Sequence, residues 1–83
     1  MRAEQLLPDG INEVELNGVT VRKGTVGAFL ANARVLGTPD ASQAAREAAR
    51  ADIAAALPAL RVLGLFEVLE IRDPALRAWV EAH

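Results

Sequence analysis

The sequence predicts an α+β fold, an N-terminal β-hairpin packed against a small bundle of three to four helices. Three observations carry that expectation. Asn17-Gly18 stands between two runs of alternating apolar and polar residues, an apolar stripe at helical spacing follows directly, and a long alanine-rich stretch comes after a Thr-Pro-Asp start signal. Alternation with a period of two marks a half-buried strand, whereas recurrence at i, i+3, i+4 and i+7 marks a helix with one buried face. With 83 residues the chain is expected to form one domain, 1-83. A chain of this size buries only about 60 to 65% of its unfolded surface, so its core is small.

Asn17-Gly18 suits a type I′ turn, which needs positive φ at both central residues. A two-residue loop sets Leu16 against Val19, Val14 against Val21 and Glu13 against Arg22, with all the apolar side chains on one face. The other face carries Glu13, Glu15, Thr20 and Arg22, with an opposite-charge pair across the ladder. Upstream, residues 1–7 are expected to form one helical turn stopped by Pro8-Asp9-Gly10, and Ile11 leads into the first strand.

After the hairpin, Lys23-Gly24 ends the ladder and Thr25 is the expected N-cap of a helix. Val26, Phe29, Leu30, Ala33 and Leu36 form its stripe, and Gly37 suits a left-handed position at its end. A lone two-stranded ribbon is marginal in water, and this helix is its nearest cover, so Phe29 and Leu30 are expected on the apolar face of the hairpin. Thr38-Pro39-Asp40 reads as the start of the next helix, with a hydroxyl cap, Pro at N1 and an acid near the positive end of the dipole. Pro58 is expected to kink or end it, and Leu60 to Leu63 to resume it until Gly64. Leu65 to Ile71 reads as a short helix, because Glu67 and Glu70 stand three apart. Asp73-Pro74 is a second cap and N1 pair, opening a last helix to Glu81 with Leu76 and Trp79 or Val80 inward.

Composition bounds the function. The absence of cysteine removes thiolate nucleophiles, thiolate metal sites and disulfides, which fits a reducing cytoplasm. Residues 1–8 lack the apolar core of a secretory signal, and Arg61 interrupts the best apolar run well short of the roughly 20 residues of a membrane span. A cytoplasmic location without membrane contact is therefore expected. Net charge is −2 and the pI is near 5.3, against the basic face that a nucleic-acid footprint requires. The single His is His83, so no catalytic set built around a histidine can be assembled, and the acids show no metal-loop spacing. No cofactor, metal or catalytic residue is expected, and the protein is read as a non-enzyme.

Two groups of residues stand out. Arg22, Lys23, Gly24 and Thr25 place two cations, a flexible glycine and a hydroxyl where a helix exposes free N–H groups, an arrangement that can hold an anion. The spacing is not that of the phosphate loop, and plain capping by Thr25 explains the same residues. In the alanine-rich helix, Ala45, Ala49, Ile53, Ala56 and Leu60 share one stripe, and Ala41, Ala44, Ala48, Ala51 and Ala55 lie beside it. The combined arc is broader than a surface helix needs, so the second stripe is a candidate interface with a protein partner or, as a weak homodimer, with a second copy.

The hairpin, the Gly24-Thr25-Val26 helix start, Asn32 and the later Gly64-Leu65-Phe66 resemble a family of short uncharacterised bacterial proteins. The resemblance spans Val14 to Phe66 and implies no activity and no functional residue. The order of strand Val19 to Lys23, helix Thr25 to Leu36, Gly37-Thr38 and a further helix is similar to that of ribbon-helix-helix DNA-binding dimers, in which the strand reads the major groove. That resemblance implies Thr20 and Arg22 as readers. The chain departs from it in three ways: the strand already has a hairpin partner, the charge is acidic, and the second helix lacks the large apolar residues of a dimer core. The expected order of function classes is thus a small interaction or assembly protein, then a DNA-binding regulator, then an enzyme.

Overall fold

The structure is a computed structural model that describes residues 12–83. The expectations for residues 1–7, for Pro8-Asp9-Gly10 and for Ile11 lie outside the described residues. The chain runs β1 (Glu13–Leu16), β2 (Val19–Arg22), α1 (Thr25–Leu36), α2 (Gln43–Leu63), α3 (Leu65–Val68) and α4 (Pro74–Glu81). The strands pair antiparallel in the expected register, Glu13 with Arg22, Val14 with Val21, Glu15 with Thr20 and Leu16 with Val19. Asn17 and Gly18 both take positive φ, 49° and 80°. Glu13 and Arg22 meet across the ladder at 3.6 Å, an exposed pair that adds little.

Helix α1 starts one residue earlier in the capping sense than expected. Gly24 holds the N-cap position at φ 87°, with no side-chain cap, and Thr25 is already helical. The turn out of β2 needs a left-handed residue, and glycine takes that conformation without a Cβ clash. The Thr25 hydroxyl instead donates to the Arg22 carbonyl at 2.6 Å, locking strand to helix.

The other end of α1 also departs from expectation. Gly37 is right-handed at φ −84° and donates to Ala33 O. The carbonyls there are satisfied from a distance: Arg46 of α2 donates to Leu36 O at 3.0 Å and Thr38 O at 2.7 Å. The Thr38 hydroxyl donates back to Arg34 O at 2.8 Å, so it is committed to α1 and cannot cap the next helix. Helix α2 therefore opens at Ser42, whose Oγ accepts from the Ala45 N–H at 3.0 Å, rather than at Thr38-Pro39-Asp40.

Pro58 neither ends nor divides α2, which continues unbroken to Leu63. The proline removes the donor that Ala54 O would use, at a cost of about 3 kcal/mol in a helix interior. Pro58 and Ala54 are both exposed, leaving the freed carbonyl on the solvent side, while Ile53, Leu57 and Leu60 clamp the opposite face in the core. Gly64 closes α2 in the left-handed conformation, φ 81°, as its place in the sequence requires, and also serves as N-cap of α3. Only Leu65–Val68 of the expected Leu65 to Ile71 helix forms, and Leu69 is extended. The extended run is held by Arg77, which donates to Ile71 O at 2.9 Å. Helix α4 has the expected bounds, with the Asp73 carboxylate accepting from the Ala75 N–H and Pro74 inside the first turn.

The core is built on α2. Ile53, Leu57 and Leu60 are its fully enclosed side chains, joined by Phe29 of α1 and by Leu76 and Val80 of α4. Phe66 meets Phe29 edge-on, 5.8 Å between ring centres. The hairpin lays β2 on α2, with Val21 buried and Val14, Leu16 and Val19 half-buried. The expected cover of the sheet by α1 is corrected accordingly: Phe29 points to α2, and Leu30 is exposed. Among the described residues no helix is long and apolar enough to cross a membrane.

Denaturant unfolding should resolve the weight of the core and of the turn separately. Leu60→Ala empties a fully enclosed site and should cost about 3 kcal/mol. Gly18→Val should cost about 1 to 2 kcal/mol, because a β-branched residue is strained at positive φ. In the wild type, slow amide exchange along Val19 to Arg22 is expected to accompany the paired ladder.

Candidate functional site

The structure brings Arg22, Lys23, Gly24 and Thr25 onto one cleft between the hairpin, the start of α1 and α2, with a volume of about 670 Å³. The same cleft is lined by Glu13 and Asp52, so its two cations face two acids. Arg22 is paired with Glu13, and the Thr25 hydroxyl hydrogen is used on Arg22 O. The Lys23 backbone N–H donates to Asn12 O at 2.6 Å. An anion entering here meets positive and negative charge in equal number, which weakens the attraction that two cations alone would exert.

The second predicted group divides. Ala41 is half-buried and precedes α2, while Ala44, Ala48, Ala51 and Ala55 are exposed along the helix. Of these, Ala55 lines the polar cleft beside Asp52. The neighbouring stripe is partly turned inward, with Ala49, Ile53 and Leu60 buried and Ala45 exposed. Leu57 and Ala59 are buried as well, so the packed face of α2 lies further round than the stripe expected from the sequence. The terminal His83 stacks on Trp79, ring centres 4.1 Å apart, and its Nδ1 lies 2.6 Å from the Trp79 carbonyl oxygen. Among the described residues no group of three or more His, Cys, Asp or Glu is placed to hold a metal ion.

The largest apolar concavity is one that the sequence did not single out. It lies between α1 on one side and α3 with the extended run before α4 on the other, with a volume of about 740 Å³. Phe29, Ala33, Leu65, Phe66, Ile71 and Leu76 form its apolar lining. Leu30 and Leu69 flank it at 49% and 59% exposure, and Val68, next to Leu69, is 82% exposed. Arg34, Glu70, Arg72 and Asp73 supply its charges. Glu70 is tied to Arg77 at 3.2 Å and Asp73 caps α4, so both acids are engaged within the chain. The signal available in the sequence was a surplus: Leu65, Phe66, Val68, Leu69 and Ile71 are more apolar residues than so short a helix can turn inward.

Comparison of the chain with protein-family models, curated proteins and solved structures gives no match. The chemistry of the two concavities therefore stands on geometry alone. The polar cleft offers balanced charge, and the groove offers apolar surface with basic groups at its edge. Replacing both opposing acids, Glu13→Gln with Asp52→Asn, should give the cleft a saturable response to inorganic phosphate in amide chemical shifts, whereas the wild type should show none.

Proposed function

We propose that the protein is a small interaction or assembly protein that acts in the cytoplasm without catalysis and binds through the apolar groove between α1 and the α3–α4 connection. The observation that carries this reading is the grouping of Leu30, Val68 and Leu69, the large apolar side chains left most exposed, beside an apolar concavity. Single exposed hydrophobics are ordinary on protein surfaces, but a contiguous patch next to a groove marks a contact surface. The non-catalytic part of the reading is supported by residue types. The described residues contain no buried polar or charged side chain, and the one histidine is stacked on Trp79 at the end of the chain.

Nothing in the geometry favours the DNA-binding alternative. Thr20 and Arg22, the expected readers, line the polar cleft with Asp52, and Arg22 is engaged by Glu13. Specific protein–DNA contacts need basic groups free to reach phosphates and base edges.

The reading is checked by placing a photo-crosslinking phenylalanine analogue at position 30 in the native host, with the exposed hairpin position 15 as control. Protein adducts are expected from position 30 and not from position 15, whether the captured chain is foreign or a second copy. Absence of any adduct at position 30 overturns the groove as binding face.

A further inference from the structure

The groove lies beside a ridge of its own chain that complements it. Helix α3 ends at Val68 and the chain continues extended through Leu69, so two apolar side chains stand out next to each other, 82% and 59% exposed. Glu67 directly precedes them and is exposed. Neither Glu67 nor the groove's two arginines, Arg34 and Arg72, has a side-chain hydrogen bond or ion pair among the described residues. The two acids of the groove lining are already engaged by Arg77 and by the α4 N-terminus. The groove thus shows apolar walls with unpaired positive charge, and the ridge shows apolar side chains led by an unpaired negative charge.

Within one chain the ridge cannot fill the groove, because Leu69 is part of the groove's own wall. A second copy can supply the ridge. We infer that the protein pairs with a second copy of itself through this face, the Val68-Leu69 ridge of each protomer lying in the groove of the other and Glu67 of each facing Arg34 and Arg72 of the other. This inference rests on the reading of the groove as the binding face and names its occupant. Ridge and groove sit side by side on one surface, so a two-fold axis satisfies both at once and closes the assembly. A head-to-tail arrangement would leave one ridge and one groove open and continue into a filament. The patch is small beside the roughly 800 Å² per partner of a standard interface, which sets the expected pairing as reversible, in the micromolar to millimolar range. Its charged contacts lie at the rim and are screened by salt.

Sedimentation velocity over rising protein concentration tests the pairing, on the wild type and on three variants: Val68→Asp, Glu67→Arg, and Arg34→Glu combined with Arg72→Glu. The wild type should dimerise, less at high salt, and each variant should raise the dissociation constant about tenfold or more with unchanged circular dichroism. Mixing Glu67→Arg with the double arginine variant should restore a dimer, since opposite charges then face each other in both halves of the contact. That restoration separates a lost contact from a damaged fold. A wild type that stays monomeric at millimolar concentration overturns the inference, as does a dimer indifferent to all the variants or a mixture that fails to pair. If a monomeric wild type still crosslinks a different protein through position 30, self-pairing is wrong and the groove remains a binding face. If it crosslinks nothing, both readings fall.

Discussion

One stripe of α2 carries the fold. Ile53, Leu57 and Leu60 are the side chains withdrawn most completely from water, and α1 and α4 reach the core by packing on them. Burial of a large aliphatic side chain contributes about 1.5 to 3 kcal/mol, and in so small a domain few residues contribute on that scale. The competition for this stripe decides where the other elements lie. Phe29 is drawn onto α2 and not onto the hairpin, and Leu30, one position further round the helix, is left facing outward. The groove is a consequence of that choice: α1 gives its large aromatic to α2 and presents its flank to α3.

The connections between helices are held by arginines more than by local caps. Arg46 satisfies the end of α1 and the loop after it, Arg61 donates to Val80 O and His83 O at the end of α4, and Arg77 holds Ile71 O. A guanidinium offers several donors in a fixed plane and bonds strongly to carbonyls that no helix completes. In the sequence these arginines look like a compositional bias, because nothing adjacent to them reveals a partner. In the fold they take the part that left-handed glycines or hydroxyl caps take elsewhere.

The same division separates the legible features from the hidden ones. Signals whose cause is local were readable: the Asn17-Gly18 turn and its register, the stop at Gly64, and the Asp73-Pro74 start of α4 with its inward Leu76 and Val80. Signals settled by a distant partner were not. Thr38 and Ser42 both have the chemistry of a cap, and the choice falls to Ser42 because Thr38 is bound to α1. Pro58 looks like a break until the core on the opposite face of α2 is taken into account. The same holds for the sites. The four residues of the expected anion site do share a cleft, but Asp52 comes to it from α2 and changes its balance of charge. The groove is assembled from α1, α3 and the approach to α4, so no single stretch announces it.

The two apolar faces that remain exposed are not equivalent. Alanine is the best helix former, so the exposed Ala44, Ala48, Ala51 and Ala55 are accounted for by the stability of α2 itself. Their methyl groups need no partner to explain them. Val68 has no such account: a β-branched residue lowers helix propensity, and at 82% exposure it adds almost nothing to the core. The same is true of Leu69, which is extended and more than half in solvent. Folding does not require apolar groups at those positions, whereas a contact between molecules does. That asymmetry, more than the size of either surface, is why the groove and its ridge carry the functional reading and the alanine face does not.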